Sequence, residues 1–242
     1  MPPPSATDPD AGLASTVSGL LRALQFGDSV FPVGGFSFSN GIESAIDEQV
    51  VHDATSLREW VRSGTRLAAG CDAIALLHAH RAAWHADLDA ARAADRSVHL
   101  RKLNEETRTM TVRMGRKLAE AAARIVPNPA TAGWLEAVRS GHTPGTYPAG
   151  LGVLFAALGR PEREAFAVHQ YGVAATMISA AVRLMRLHYL DAQAILFAVN
   201  AEADADYAAA AGKGLADMSG FAPQVDVLAA VHVRAHVRMF MN

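Results

Sequence analysis

LRKLNEETRTMTVRMGRKLAEAAARI, residues 100–125, decides the fold class. Its apolar and small residues fall at Leu100, Leu103, Thr107, Met110, Met114, Leu118, Ala121 and Ile125. Steps of three or four over about seven turns mark one face of an α-helix. Arg101, Glu105, Arg108 and Arg116 take the other faces, so the spacing predicts one long amphipathic helix from Leu100.

The same period recurs on both sides of this stretch. Between Leu57 and Cys71 the small and apolar residues Leu57, Trp60, Val61, Gly64, Leu67, Ala68 and Cys71 share a face, with Ser56 and Glu59 as a capping box. Asn128-Pro129 reads as an N-cap followed by proline at the first helical position, opening a short helix that Gly141 ends. Residues 141–152 carry four glycines and two prolines and read as a turn. Pro161 opens the most apolar helix, to about His188, and Asp191 and Glu202 begin two more. Residues 212–223 read as loop, and Asp226 to Phe240 as a final helix. The chain holds 49 alanines and almost no two-residue alternation. The expectation is an all-α, single-domain helical bundle of roughly eight to ten helices over residues 13–242, behind a disordered tail at 1–12.

Composition removes several function classes. The 242 residues carry 22 Lys+Arg against 24 Asp+Glu, a formal charge of −2, and the mean hydropathy is +0.11. That chain is too apolar for disorder and too nearly neutral for a nucleic-acid coat. One cysteine, Cys71, closes no intrachain disulfide and fits a reducing, cytoplasmic setting. The proline-rich, acidic N-terminus lacks the pattern of a secretory signal. His169, Gln170, Tyr171, Gly172, Thr176 and Ser179 interrupt the uncharged run from Ala165 to Val182, which reads as a buried helix and not a membrane span.

Catalytic motifs are missing. Gly212-Lys213-Gly214 lacks the spacing of a phosphate-binding loop, no HExxH is present, and Phe31 to Gly41 (FPVGGFSFSNG) contains no GxSxG. That run still demands an account, since Pro32 fixes the backbone, Gly34 and Gly35 permit unusual dihedrals, and Phe31, Phe36 and Phe38 bring large apolar surface. Two readings stay open: aromatics plugging the domain's own core, or an exposed partner-binding loop. His232 and His236 are four apart and make a weak candidate metal pair, while His78 and His80 point apart on a helix. His169 and His188, on the apolar helix, read as core or interface histidines. Arg183, at the rim of that helix, calls for a carboxylate or helix-end carbonyls.

Taken in order, these blocks resemble the UreF family of urease accessory proteins. Phe31-Pro32-Val33-Gly34-Gly35-Phe36-Ser37-Phe38-Ser39-Asn40-Gly41-Ile42-Glu43 is similar to that family's F/L-P-x-G-x-F-x-x-S-x-G-L-E segment. Arg108, Met114 and Gly115 resemble a second block, and Ala180 to Leu184, leading to Gln193, a third. Pro223, Val225-Asp226-Val227, His232 and Arg238-Met239-Phe240 resemble the family's ending. The resemblance implies an all-helical, homodimeric assembly protein, not an enzyme. It would bind a UreD/UreH-type companion, recruit the GTPase UreG and serve GTP-dependent nickel insertion into apo-urease. Its partner-binding residues would be Phe31, Pro32, Gly34, Gly35, Phe36, Ser37, Ser39, Glu43, Arg183, Asp226, His232, Arg238 and Phe240, with 224–242 a C-terminal partner-binding segment free until the companion arrives. Nickel would pass through the complex with no cofactor held permanently, and neither nucleic acid nor membrane would be a partner.

Three departures stand out. Met241-Asn242 replaces the family's Arg-Ser ending, Thr146-Tyr147-Pro148 stands where relatives carry H-x-P, and Leu187-His188-Tyr189 replaces L-G-Q. The rival readings are a helical metal-dependent hydrolase using His232, His236 and Asp226, and a nickel-binding carrier, which would need more ligands than two histidines.

Overall fold

A computed structural model describes residues 16–35, 38–220, 227–228 and 239–240, and the expected tail at 1–12 lies outside them. Among the described residues the chain is α-helix after α-helix with no strand. In order these are α1 (Val17–Gly27), α2 (Ile42–Asp47), α3 (Ala54–Gly70), α4 (Asp72–Trp84), α5 (Leu88–Arg101) and α6 (Glu105–Ile125). Then come α7 (Pro129–Arg139), α8 (Tyr147–Ala157), α9 (Glu162–Leu184), α10 (Tyr189–Asn200) and α11 (Ala203–Ala211).

The core forms around α4 and α8, whose sequences DAIALLHAHRAAW and YPAGLGVLFAA are apolar on nearly every side. Such helices can only be interior. Each packs most extensively on the other, with α5, α6 and α9 around the pair. Residues 147–152, expected as part of a turn, are therefore the start of a central helix. Pro148 sits in its first turn, where no amide is missed, and the glycines serve close packing. A Cβ at Gly152 would collide with the Leu76 carbonyl of α4, so only glycine lets the two backbones meet.

The long helix expected from Leu100 is two helices. The chain breaks at residues 102–104, where the Asn104 side chain accepts the Thr107 amide at 3.0 Å and starts α6 afresh. Leu100 and Leu103 accordingly point to solvent. The cap of α3 is also shifted: Asp53 accepts the Ser56 amide at 2.7 Å and the Ser56 hydroxyl accepts the Asp53 amide at 3.1 Å, in place of a Ser56/Glu59 box. Asn128 and Pro129 open α7 as the sequence predicts.

α9 is the one described helix long and apolar enough to cross a membrane by length and composition, and half of its apolar window is buried. It packs on α1, α2, α3, α4, α8 and α10. At its start Glu162, buried, takes a two-pronged ion pair from Arg81 of α4 at 2.6 Å and a hydrogen bond from the Tyr207 hydroxyl of α11 at 3.0 Å.

The turn before α8 is tied by one fully buried carboxylate. Asp95 of α5 accepts from the Thr143 hydroxyl at 2.6 Å, the Gly145 amide at 2.7 Å, and the Thr146 amide and hydroxyl at 2.7 and 2.5 Å. Thr146 is thus a structural residue. Replacing Asp95 by Ala strands four buried donors, and the loss expected in chemical denaturation is about 3 kcal/mol or more.

Candidate functional site

Of the connection from α1 to α2, the expected partner-binding residues Phe36 and Ser37 lie outside the described residues. Phe31 is half-buried and meets Phe26 edge-on at 5.0 Å, and Phe38 is buried. These two aromatics plug the molecule's own core. Pro32 stays at the surface, and Gly34 takes φ +83°, which a side chain would strain. The pair Gly34-Gly35 lies against Lys117 and Met114 of α6. Asn40 and Gly41, both left-handed, turn the chain into α2, and Ser39 is buried beneath them.

Glu43, buried on α2, reaches the far end of the chain. Its Oε1 accepts the Met239 amide at 2.7 Å and its Oε2 the Phe240 amide at 3.1 Å. The Phe240 ring is buried, and the Arg183 guanidinium covers it at 4.0 Å from the centroid. Arg183 also donates from Nε to the Ser179 carbonyl at 3.2 Å, and burial lowers its pKa from the ordinary value. Three residues picked from three separate motifs therefore meet in one clasp. The expectation that Phe240 stands free is corrected: a phenyl ring gains more from the pocket made by α2 and α9 than from water. Asp226, His232, His236 and Arg238 lie outside the described residues, as does most of 224–242. His188 is no core residue, since it is exposed and caps α10 by accepting the Leu190 amide at 3.3 Å.

Behind the loop a cavity of about 760 Å³ opens between α3, α6 and α9, bordered by Gly35, Phe38, Gly41 and Arg183. Its floor was not foreseen from sequence. Lys102 donates to Asp72 Oδ1 at 2.5 Å, and both side chains are largely buried. Burial works against the Lys102 charge, and the facing Asp72 outweighs it, so its pKa is raised. Next to them burial pushes the Cys71 thiol up to about 11 and the Tyr147 phenol up to about 12. Tyr147 stacks on His169 with centroids 6.4 Å apart. Burial carries the His169 imidazole down to about 4, while Asp72 pulls upward and Lys102 downward. No group of three or more metal-ligating side chains occurs among the described residues.

Comparison with known proteins places these features in context. A family model described as UreF matches residues 51–200. "Urease accessory protein UreF 2" of Brucella canis is 53% identical over 227 residues, covering 94% of this chain and 93% of that protein. "Urease accessory protein UreF 1" of Brucella melitensis biotype 1 is 53% identical, with 94% of each chain covered. "Urease accessory protein UreF" of Yersinia pseudotuberculosis serotype I is 49% identical over 225 residues, covering 93% of this chain and 99% of its own.

Two measurements check the site. Phe240→Ala should cost about 3 kcal/mol of stability, because it empties a filled pocket and strips Arg183 of its ring. Stability should also fall as pH drops below about 6.5 towards 4, since the unfolded chain takes a proton at the ordinary histidine value while His169 in the folded chain does not. His80, whose pKa burial also lowers, adds in the same direction. In melting curves at pH 7 and 5, His169→Gln should flatten this slope.

Proposed function

The chain belongs to the UreF family of urease accessory proteins, and from that premise we propose that it is the bridging subunit of a urease-maturation complex. In this reading it joins a UreD/UreH-type companion to the GTPase UreG, as a homodimer in the cytoplasm, and regulates that GTPase during nickel insertion into apo-urease. Nickel is cargo here, and the protein performs no chemistry of its own.

The observation that carries the proposal is a pair of apolar faces left in water. On α1, Val17, Leu20, Leu21 and Leu24 are 54 to 80% exposed, while Gly19, Ala23 and Phe26 pack inward. Their spacing of three, four and seven is the stripe by which one helix packs on another. On α10, Phe197 is 82% exposed, with Tyr189 and Leu190 also open. Contiguous apolar surface of this kind marks protein interfaces. Two such faces, on helices at opposite ends of the sequence, suit a subunit that holds more than one partner. The Glu43, Arg183 and Phe240 clasp supports the same reading by joining α2, α9 and residues 239–240 into one surface.

Co-purification tests it. Wild-type protein should bring down both the companion and the GTPase. Leu21→Glu with Leu24→Glu should weaken capture of a partner by at least about tenfold while melting hardly changes, since both residues are exposed. Undiminished capture of both partners by that variant would remove the argument from α1.

A further inference from the structure

Bridging partners leaves the cavity between α3, α6 and α9 without a role. Its floor carries two polar groups with no hydrogen-bond partner among the described residues. His169 is 3% exposed and lines the cavity, and its Nδ1 meets no hydrogen-bond partner among the described residues. The Tyr147 hydroxyl beside it makes no hydrogen bond among the described residues. Asp72 and Lys102 cancel each other's charge across 2.5 Å. The walls are mixed: Phe38, Trp60, Met110 and Met114 give them broad apolar surface, with Glu59, Thr107 and Arg183 among the polar residues that also line them.

A second feature is independent of the floor. Gly172 lies in the interior of α9, borders the cavity, and has nothing within 4 Å of where a Cβ would stand. Glycine at such a position costs about 1 kcal/mol against alanine. No described element of the chain occupies that space, so it is open to something that enters.

We infer that this cavity binds an uncharged, mostly apolar small molecule bearing a single hydroxyl, of the aryl-alcohol class. A hydroxyl gives one hydrogen bond and takes one, which matches a neutral imidazole beside a phenol. At the floor, beside His169 and Tyr147, an ionised head would find the nearest charges already spent, because Asp72 and Lys102 are engaged with each other. The volume of about 760 Å³ falls in the range of sites that enclose molecules of several rings. Gly172 then lets a ring edge lie against the α9 backbone. This inference does not rest on the bridging role, and its test contains no partner protein.

The experiment is calorimetric titration of the purified full chain with 4-phenylphenol, with quenching of Trp60 as a second readout and biphenyl-4-carboxylate as the charged counterpart. Saturable one-to-one binding of the phenol is expected, with the carboxylate at least about tenfold weaker. Tyr147→Phe should weaken binding by about three- to tenfold. Gly172→Leu should abolish it while leaving the melting temperature unchanged or raised, and if that variant fails to fold, Tyr147→Phe decides alone. No saturation by about 1 mM, a carboxylate that binds as tightly, or a folded Gly172→Leu with unchanged affinity would each overturn the assignment. It is equally overturned if the phenol does not bind and Gly172→Leu instead loses a partner in co-purification, which would make the cleft a groove for a protein helix.

Discussion

At Gly152 the backbone of α8 rests on the backbone of α4, and the rest of the molecule is arranged around that contact. Two helices this apolar have no stable existence apart. Once they touch, α5, α6 and α9 have an interior to cover. The turn that delivers the chain into α8 must also be held still, and a buried carboxylate does this without any cation. Asp95 is balanced by four donors and by the positive end of the α8 dipole, a neutral solution to an anion in the core.

Much of this was legible in the sequence, and the failures have physical causes. α7 and α9 announced themselves through Asn128-Pro129 and Pro161, because caps act within a few residues and leave a local trace. α8 was misread because glycine and proline were weighed as breakers. In a helix buried on all sides, glycine is a packing residue and a first-turn proline an opener. The break at 102–104 was hidden by Leu100 and Leu103, which keep the period of α6 yet face water. A stripe cannot say whether its first turn is covered.

The site was legible differently. The loop and Arg183 stood out as motifs, and the family resemblance joined them to Phe240. That Glu43 holds the amides of Met239 and Phe240 could not be read, because a backbone contact across 196 residues leaves no periodic signal. The cavity floor was invisible for the same reason. Asp72, Lys102, Tyr147 and His169 come from four different helices or their ends and look ordinary one at a time. What distinguishes them is shared burial, a property of the fold and not of any segment.

The position of α9 in the chain sets the order in which the protein can be built. Its packing partners α1, α2, α3, α4 and α8 all precede it, and only the shorter α10 and α11 follow. A ribosome-bound chain ending before Glu162 would hold several helices whose apolar faces await a helix not yet made. Folding then waits on the emergence of α9 as far as Leu184. Nascent chains arrested short of that residue would be the form most dependent on a holding chaperone, and those arrested beyond it the first able to cover Ala23 and Phe26, the inward side of α1.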